Sequence, residues 1–430
     1  MVATVSACGA EKGLISIDQA IEIILQQAQP LSTEKKALQA SLHHFLAEDI
    51  HAQVNLPTFS QSAVDGYALC FDGENAKDTT SQDHISKDHI SKDQTFEVIG
   101  EIRAGSDQQY QLNHGQAVRI FTGGKIPENT TTVARQEIVQ ANQSLITITE
   151  PLRVDADIRH VGEEVSKGQC LAERGQYLNV GTIAALSMAG VFEVTVFKQP
   201  KIAVLITGDE VATSSNDPSM DTSSKVFDAN GPLLQAWCQA HHFNVDILHI
   251  ADDQVVVNDI FARLKSQYDV LITTGGVSVG DYDYVRPCAL ENGFVQHFWK
   301  VKQKPGKPLF FASFQNQNQD HRCYLLGLPG NPAAVYVCMQ VYGKLLLNAL
   351  QDDRNTQQWF SATLTQPIKA DQRERFIRMV VSFDQGRLTV QPLAKQQSHM
   401  LSNLMQANCL VRVPSDRQCE TGDQVQVLML

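Results

Sequence analysis

Two glycine-rich segments of the sequence combine a permissive backbone with carboxylates. Gly208-Asp209-Glu210 follows the apolar run KIAVLIT, and the segment 275–283 (GGVSVGDYD) follows the run YDVLITT. Glycines let backbone N–H groups approach an anion closely, and adjacent carboxylates can hold a divalent cation. The combination predicts a site for a phosphate ester with magnesium. A tight turn explains one such segment equally well, but two segments at strand ends of one sheet favour a binding site.

A basic segment, KVKQKPGKP, stands out in a chain whose formal net charge is −12. It contains Lys300, Lys302, Lys304 and Lys307. Lysine ammonium groups suit phosphate and other oxyanions, and the two prolines restrict the backbone. A charge run is more often a solvated surface, so this segment alone does not establish an anion site.

A third polar segment, Pro329-Gly330-Asn331-Pro332, follows the apolar run YLLGL. Asn331 can cap a helix and Pro332 can occupy its first turn, which predicts a helix over 333–347. That helix would direct the positive end of its dipole at the same crevice. Capping alone accounts for these residues equally well.

These candidate groups need a scaffold, and the stretch from Lys201 to about Leu347 predicts one. Strand-like runs alternate there with helical segments, which is typical of a parallel sheet covered by helices on both faces. The runs are KIAVLIT, FNVDILHI, YDVLITT and RCYLLGL. Open α/β sheets bind ligands beyond the carboxyl ends of their strands, which is where the polar segments lie.

The regions on either side of this stretch predict different structures. A capping box at Ser16 and Gln19 begins an amphipathic helix that Pro30 ends, and a second capped helix is predicted over 182–189. Short strand-like runs between Pro57 and Pro151 predict a small all-β module, and about seventy C-terminal residues predict a β-barrel or sandwich.

One polar repeat interrupts the predicted β module. DHISK occurs at 83–87 and again at 88–92. Its two histidines could bind a metal, but the segment contains few apolar groups that could order it. It therefore predicts a mobile surface loop.

The composition excludes some classes of function. An acidic chain lacks the basic face that binding to nucleic acid or an anionic membrane requires. The nine cysteines are scattered without any CxxC pair, which predicts reduced thiols and no zinc site. There is no basic start followed by an apolar segment, and no apolar run approaches the ~18 residues of a membrane span, so we expect a cytoplasmic protein.

Four of these segments, TGDE, GGVSVGDYDYV, KPGKP and GLPGNP, stand in the order and spacing of the molybdopterin-binding domain shared by the MoeA and MogA families. Outside that domain, the segment 62–68 (SAVDGYA) resembles the SAMDGYA signature of the MoeA family. Further matches to MoeA are Thr122-Gly123 with Pro127-Glu128, Arg159 with Gly162-Glu163-Glu164, and Phe227-Asp228-Ala229-Asn230. The sequence therefore resembles the MoeA family over nearly its whole length.

The resemblance implies a multidomain fold of α/β and β parts. A doubly wound, MogA-like α/β molybdopterin-binding domain would carry an inserted β module and a C-terminal β-barrel domain. The implied divisions are an elongated discontinuous domain at 14–56 and 152–197, the β module at 57–151, the α/β domain at 198–347 and the C-terminal domain at 348–430. A homodimer with the active crevice between subunits is also implied.

The resemblance also implies a magnesium-dependent molybdopterin molybdenumtransferase, which inserts molybdate into adenylylated molybdopterin and releases AMP. It implies catalytic roles for Asp65, Thr122, Glu210, Asp228 and Asp283. Magnesium would be held by Asp228, Asp283, Glu210 and Glu164. Substrate and molybdate would be bound by Lys300, Lys304, Lys307, Gly275, Gly276, Ser278, Pro329, Pro332, Arg378, Ser398 and Arg159. Implied partners are an upstream molybdopterin adenylyltransferase and downstream proteins that mature molybdoenzymes.

Several positions leave alternatives open. Asp65 could form an Asx turn before Gly66, Thr122 could be a turn hydroxyl, and Arg159 could form an exposed ion pair. Departures from the family pattern are Glu164, Gly124-Lys125, Arg135 and the DHISK repeat. Two other functions remain open: the adenylylating step with ATP on the same pterin, and a non-catalytic scaffold that binds a protein partner.

Overall fold

The computed structural model describes residues 13–71, 89–208, 211–212, 226–277, 283–316, 321–355, 357–384 and 386–430. The chain forms two compact units. The first comprises the chain up to Glu34, His43–Ala47 and Val196–Leu430, and the second comprises Lys35–Leu42 and Glu48–Thr195.

A seven-stranded sheet forms the centre of the first unit. Its strands lie in the order Leu14–Ile15, Val295–Val301, Pro308–Asn316, His321–Leu328, Val270–Thr274, Ile202–Thr207 and Val245–Ile250. The last four are parallel neighbours and are the four strands that the sequence predicts. The strand Pro308–Asn316 is antiparallel to both of its neighbours, so the sheet is mixed and wider than predicted.

Helices cover both faces of this sheet, because alternate side chains of its buried strands point to opposite sides. Along Ile202–Thr207, Val204 and Ile206 join one core, and Ala203 and Leu205 join the other. The helices of the unit are Ile17–Gln27, Asn230–Ala240, Gln254–Leu264, Val285–Glu291, Pro332–Cys338 and Lys344–Ala349, with a π-helical turn at Met339–Gly343.

Two of these helices carry predicted features. The capping box of the first helix is formed by Ser16 and Gln19, as predicted. The helix predicted over 333–347 is present and extends continuously from Pro332 to Ala349. Its middle turn, Met339–Gly343, is π-helical.

The C-terminal part of the first unit is a closed five-stranded β-barrel. Its strands are Phe360–Leu364, Glu374–Asp384, Arg387–Pro392, Cys409–Val413 and Gln424–Met429. The pairing of Glu374–Asp384 with Cys409–Val413 closes the barrel. A short strand, Gln303–Lys304, extends it by pairing in parallel with Glu374–Asp384, which attaches the basic segment directly to the barrel.

The second unit is built around a six-stranded sheet. Its strands lie in the order Val139–Asn142, Leu145–Ile148, Thr95–Ile102, Gln116–Ile120, Gly66–Leu69 and Thr132–Arg135. Both faces are buried: Tyr67 and Leu69 join one core, and Ala68 and Val118 join another.

Shorter elements complete the described chain. The helix predicted over 182–189 is present but begins two residues earlier: it spans Val180–Met188, is capped by the Asn179 side chain and is followed by Gly190, as predicted. The remaining strands are Thr33–Ala37, Ile50–His51, Gln61–Ser62, His89–Ile90, Leu152–Arg153, Ile158–Arg159, Cys170–Ala172, Glu193–Phe197, Val211–Ala212 and Val226–Phe227. The 3-10 turns are Leu38–Ala40, Gln136–Ile138 and Ser402–Met405.

The prediction for the DHISK repeat is wrong for part of its second copy. His89–Ile90 pairs with Leu152–Arg153, and Ile90 is 1% exposed. One isoleucine buried against a neighbouring strand is enough to order these residues, although the segment as a whole is polar. The first copy and Asp88 lie outside the described residues.

The described residues include eight cysteines, and none of these eight forms a disulfide. Every helix within the described ranges is too short or too polar to span a bilayer.

Candidate active site

A cavity of about 640 Å³ opens at the carboxyl ends of the parallel strands of the first unit. Its lining residues follow four strands of the sheet, and two more come from the C-terminal part of the chain. The lining residues are Thr207, Val226, Phe227, Asp228, Ala229, Asn230, Asp252, Thr274, Gly275, Gly276, Asp283, Gly330, Asn331, Pro332, His399 and Leu401. The cavity thus lies where a doubly wound sheet is expected to bind its ligand.

The glycines of the cavity are required by backbone conformation and space. Gly275 and Gly276 have φ angles of +90° and +65°, which favour glycine. A Cβ atom on Gly276 would lie 2.6 Å from Val285 Cγ2. The N–H group of Gly275 donates to the Leu328 carbonyl, so this residue shapes the turn and does not offer that N–H to a ligand.

Asp228 is the carboxylate whose surroundings are defined most fully. Its Oδ1 accepts a hydrogen bond of 2.9 Å from the Gly231 N–H, and its Oδ2 lies 2.9 Å from His249 Nε2. The side chain is only 10% exposed. A buried carboxylate held at both oxygens has a fixed orientation, and each oxygen keeps a second lone pair for a ligand in the cavity.

Asp283 and Asp252 line the same cavity. Asp283 therefore lies with Asp228, Gly275, Gly276 and Pro332 as predicted from the sequence. Glu210 and Ser278 lie outside the described residues. The described His, Cys, Asp and Glu side chains include no group of three placed to hold a metal ion.

Two buried oxygen atoms at the cavity have no hydrogen-bond partner within the described structure. They are Oγ1 of Thr274 and Oδ1 of Asn230. The amide nitrogen of Asn230 donates to the Gly330 carbonyl at 2.9 Å, which joins two of the loops. Buried polar atoms are normally satisfied, so these two oxygens are suited to a water molecule or a polar ligand in the cavity.

The last three residues of the segment 329–332 line the cavity. Asn331 occupies the N-cap position and Pro332 the first helical position, but the Asn331 side chain makes no capping hydrogen bond. The N–H of Ala333 instead donates to the Ser398 carbonyl at 3.2 Å. Contact with the loop that carries Ser398 thus replaces the predicted side-chain cap.

The predicted lysines do not line this cavity. Lys304 Nζ lies 2.7 Å from Asp371 Oδ2, and this ammonium group lowers the pKa of Asp371. Lys300 Nζ lies 4.3 Å from the centroid of the Trp299 ring. The Lys307 carbonyl accepts from the Val301 N–H, which closes the loop between them.

Arg378 lies on a barrel strand, on the face opposite the barrel core residues Ile377 and Met379, and only 1% of its surface is exposed. Its guanidinium donates to the carbonyls of Lys395, Gln397 and Met400. Burial lowers the pKa of this arginine. These bonds fix the loop that carries Ser398 and also His399, which lines the cavity.

In the second unit, Asp65 and Thr122, both of which the resemblance implies as catalytic, are in direct contact. Both the N–H and the Oγ1 of Thr122 donate to Asp65 Oδ1 at 2.8 Å. These two hydrogen bonds, backbone first, lower the pKa of Asp65. Gly66 is required beside it, because a Cβ atom there would lie 2.0 Å from the Ala134 carbonyl oxygen. The carboxylate is thus held by a residue 57 positions away.

The segment around Arg159 contains one ion pair and one contact between a histidine and a carboxylate. Arg135 forms a bidentate pair with Asp157, and His160 Nε2 lies 2.8 Å from Asp155 Oδ2. The Asp157 carbonyl accepts from the Ala63 N–H, so Arg135 supports the SAVDGYA segment. Arg159 and Glu164 are exposed, and the Glu164 N–H donates to the Leu56 carbonyl.

Sequence reasoning missed three residues of the cavity region: His249, Asp252 and His399. The first two lie at the end of the predicted strand FNVDILHI and directly after it. Ligands bind beyond the carboxyl ends of strands in such sheets, so the same reasoning that selected the glycine-rich segments could have found these two residues. His399 could not be found this way, because it reaches the cavity from the C-terminal part of the chain.

The fold and this cavity define a class of protein. Residues 203–349 match the family described as "Probable molybdopterin binding domain". Residues 15–190 match "MoeA N-terminal region (domain I and II)", and residues 361–430 match "MoeA C-terminal region (domain IV)". The three matches follow one another along one chain, as the sequence motifs predicted.

Similar proteins extend over the whole chain. The molybdopterin molybdenumtransferase of Haemophilus influenzae is 32% identical over 425 residues, which cover 96% of this chain and 98% of that protein. The protein of the same name from Staphylococcus epidermidis is 30% identical and covers 96% and 95%. The chain belongs to the MoeA family.

A solved structure has the same fold. The molybdopterin biosynthesis moeA protein from Pyrococcus horikoshii OT3 superposes with a TM-score of 0.77 at 24% identity, covering 97% of this chain and 100% of that one. The predicted family and fold class are confirmed.

Proposed function

We propose that this chain is a molybdopterin molybdenumtransferase that inserts molybdate into adenylylated molybdopterin and releases AMP. An enzymatic role in molybdenum cofactor biosynthesis follows from membership of the MoeA family. The observation that carries the specific proposal is the cavity in which Asp228 and Asp283 lie with Gly275 and Gly276. Carboxylates beside a permissive backbone suit the cleavage of a pyrophosphate bond.

Magnesium fits the donors of this cavity. The ion is bound in proteins by one or two carboxylates together with waters and phosphate oxygens, and all its preferred ligands are oxygens. Asp228 and Asp283 would supply two carboxylates, and the oxygens of Thr274 and Asn230, which have no partner in the described part of the chain, would supply further polar contacts. Glu210 is the other ligand proposed in this unit, and Glu164, which the family resemblance also implies as a ligand, belongs to the second unit. Magnesium would neutralise charge that develops on the pyrophosphate oxygens.

The residues of the chain then have separate tasks. Asp228 is fixed by Gly231 and His249, so it can hold a ligand without reorienting. Asp283 or Glu210 would accept a proton from the attacking water. Asp65, whose carboxylate accepts a hydrogen bond from Thr122, is the catalytic carboxylate that we propose in the second unit.

Molybdate is a tetrahedral dianion and needs fixed cationic and hydroxyl donors. We assign this task to Lys300, Lys304, Lys307, Arg378 and Ser398, with Arg159 as a substrate contact. Lys304 pairs with Arg375 of the barrel strand Glu374–Asp384. Arg378 lies three residues further along that strand. Arg378 already donates to three carbonyls, so its contribution to molybdate binding would include holding the Ser398 loop.

The proposed assembly and setting complete the assignment. A homodimer is expected from the family resemblance, in the cytoplasm. The substrate would come from a molybdopterin adenylyltransferase, and the product would pass to proteins that mature molybdoenzymes.

The direct test is AMP release by the purified chain from adenylylated molybdopterin. We expect release that requires both molybdate and Mg²⁺, together with a molybdenum-containing product detected by mass spectrometry. Omission of molybdate or chelation of the metal should each stop release.

Two results would contradict the proposal. ATP consumption with molybdopterin would indicate the adenylylating step. Tight binding of adenylylated molybdopterin to folded protein without AMP release would indicate a scaffold.

A further inference from the structure

The carboxylate of Asp228 lies beside a histidine, His249, to which the proposed function assigns no task. His249 lies at the carboxyl end of the strand Val245–Ile250, next to Ile202–Thr207 in the sheet. Its Nε2 is 2.9 Å from Asp228 Oδ2, and its side chain is 36% exposed. Two residues 21 positions apart are thus joined at the cavity.

The chemistry of the pair fixes the direction of this hydrogen bond. A carboxylate oxygen accepts and a ring N–H donates, so we take His249 Nε2 as the donor of this bond and Asp228 Oδ2 as its acceptor. The other oxygen of Asp228 accepts from the Gly231 N–H. Gly231 also leaves room for the carboxylate, since a Cβ atom there would lie 2.3 Å from Asp228 Oδ2.

The carboxylate would lose much of its constraint without the histidine. Within the described residues, its other hydrogen bond comes from Gly231, three residues along the chain in the helix that follows it. His249 is the contact from a different element of the sheet. Residues that orient a ligand-binding carboxylate through a hydrogen bond commonly change affinity or activity by about 10-fold to 100-fold when they are replaced.

We propose that His249 is a positioning residue: it donates its Nε2 proton to Asp228 Oδ2 and holds that carboxylate in the orientation that substrate and cation binding require. The effect of His249 on turnover rests on the proposed function, because it is measured as AMP release. The hydrogen bond itself can be tested without turnover.

The first experiment is ¹⁵N NMR of the full chain labelled at histidine, with the His249 ring signals assigned by their loss in His249→Ala. We expect a proton on Nε2, and we expect Asp228→Asn to shift these signals. A neutral ring protonated only at Nδ1, or signals that Asp228→Asn leaves unchanged, would overturn the proposal whether or not the protein turns over substrate.

The second experiment compares AMP release by wild-type protein, His249→Ala and His249→Gln over a range of Mg²⁺ concentrations. His249→Ala should lower kcat, or raise the Mg²⁺ concentration for half-maximal rate, by about 10-fold to 100-fold. His249→Gln retains an N–H donor and should restore most of the loss. A folded His249→Ala with wild-type values, or a folded His249→Gln as impaired as the alanine variant, would overturn the positioning role.

His321→Ala is the matched control. His321 lies at the start of a strand of the same sheet, with Nδ1 3.9 Å from Asp269 Oδ1. This variant should stay within about twofold of wild type in the kinetic experiment. If the wild-type protein releases no AMP, the proposed function fails, and the NMR experiment still decides the contact between His249 and Asp228.

Discussion

Two cavities of similar size lie at opposite ends of the same strands, yet their chemistry differs. The cavity at the carboxyl ends has a volume of about 640 Å³, and one beside Lys201, Asp246 and Tyr268 at the strand starts has about 690 Å³. Volume therefore does not distinguish them.

The polar groups and the backbone do distinguish them. At the carboxyl ends, glycines with positive φ angles lie beside two buried oxygens that have no hydrogen-bond partner among the described residues. At the strand starts, Tyr268 donates to Asp246 at 2.8 Å, and the Lys201 N–H donates to Asp269. Groups that already bind each other contribute to the fold, whereas the two oxygens at the carboxyl ends can take a water molecule or a polar ligand.

The largest difference between the two ends should come from removing one carboxylate at each. Asp228→Asn removes a charge that is 90% buried at the cavity, and we expect AMP release to fall by roughly 10²-fold or more. Asp246→Asn is the matched variant at the other end and should stay within about twofold. Both should keep the circular dichroism of the wild type. Equal losses in the two variants would break the comparison.

A smaller loss should follow from displacing the same carboxylate without removing it. Gly231→Ala places a methyl group 2.3 Å from Asp228 Oδ2, and a displacement of this kind can lower turnover by about 10-fold to 100-fold. Gly181→Ala is a control at the same position of another helix, Val180–Met188. Thermal unfolding should show both variants folded, and wild-type turnover in Gly231→Ala would contradict the role given to Asp228.

The smallest effect is expected from Tyr268→Phe, which should leave turnover unchanged. The hydrogen bond to Asp246, followed by burial, raises the pKa of Tyr268 above its ordinary value of 10.0. A pKa raised by folding contributes stability that is complete below about pH 10 and is lost as the pH rises through the folded value.

Urea denaturation should therefore show wild type more stable than Tyr268→Phe by roughly 0.5 kcal/mol near pH 7. The difference should disappear at strongly alkaline pH. A difference that is constant across the pH range, or a loss of turnover in the variant, would argue against a purely structural role for this end of the sheet.

Much of this architecture could be predicted from periodicity and strand ends. The four parallel strands, the glycine-rich turns and the placement of Asp283 follow from local patterns, whereas Asp228 was selected through the resemblance to the MoeA family. The antiparallel strand Pro308–Asn316 was missed, because it follows a lysine- and proline-rich segment that indicates a loop.

The remaining features depend on contacts between distant residues. Lys304 is bound by Asp371, 67 residues away, and no local pattern predicts that an apparently free cation is paired. Arg378 was predicted as a ligand contact, but its burial and its three carbonyl partners are set by the barrel and the loop at 395–400. The domain boundaries and the roles of the site residues remain predictions.

The central claim is that adenylylated molybdopterin binds at the carboxyl ends of the strands. A crystal structure of Asp228→Asn soaked with this substrate and Mg²⁺ tests it most directly. We expect the pyrophosphate in the cavity between Thr274, Gly276 and Asn331. Substrate bound instead beside Lys201 and Tyr268, with the first cavity empty, would contradict the account.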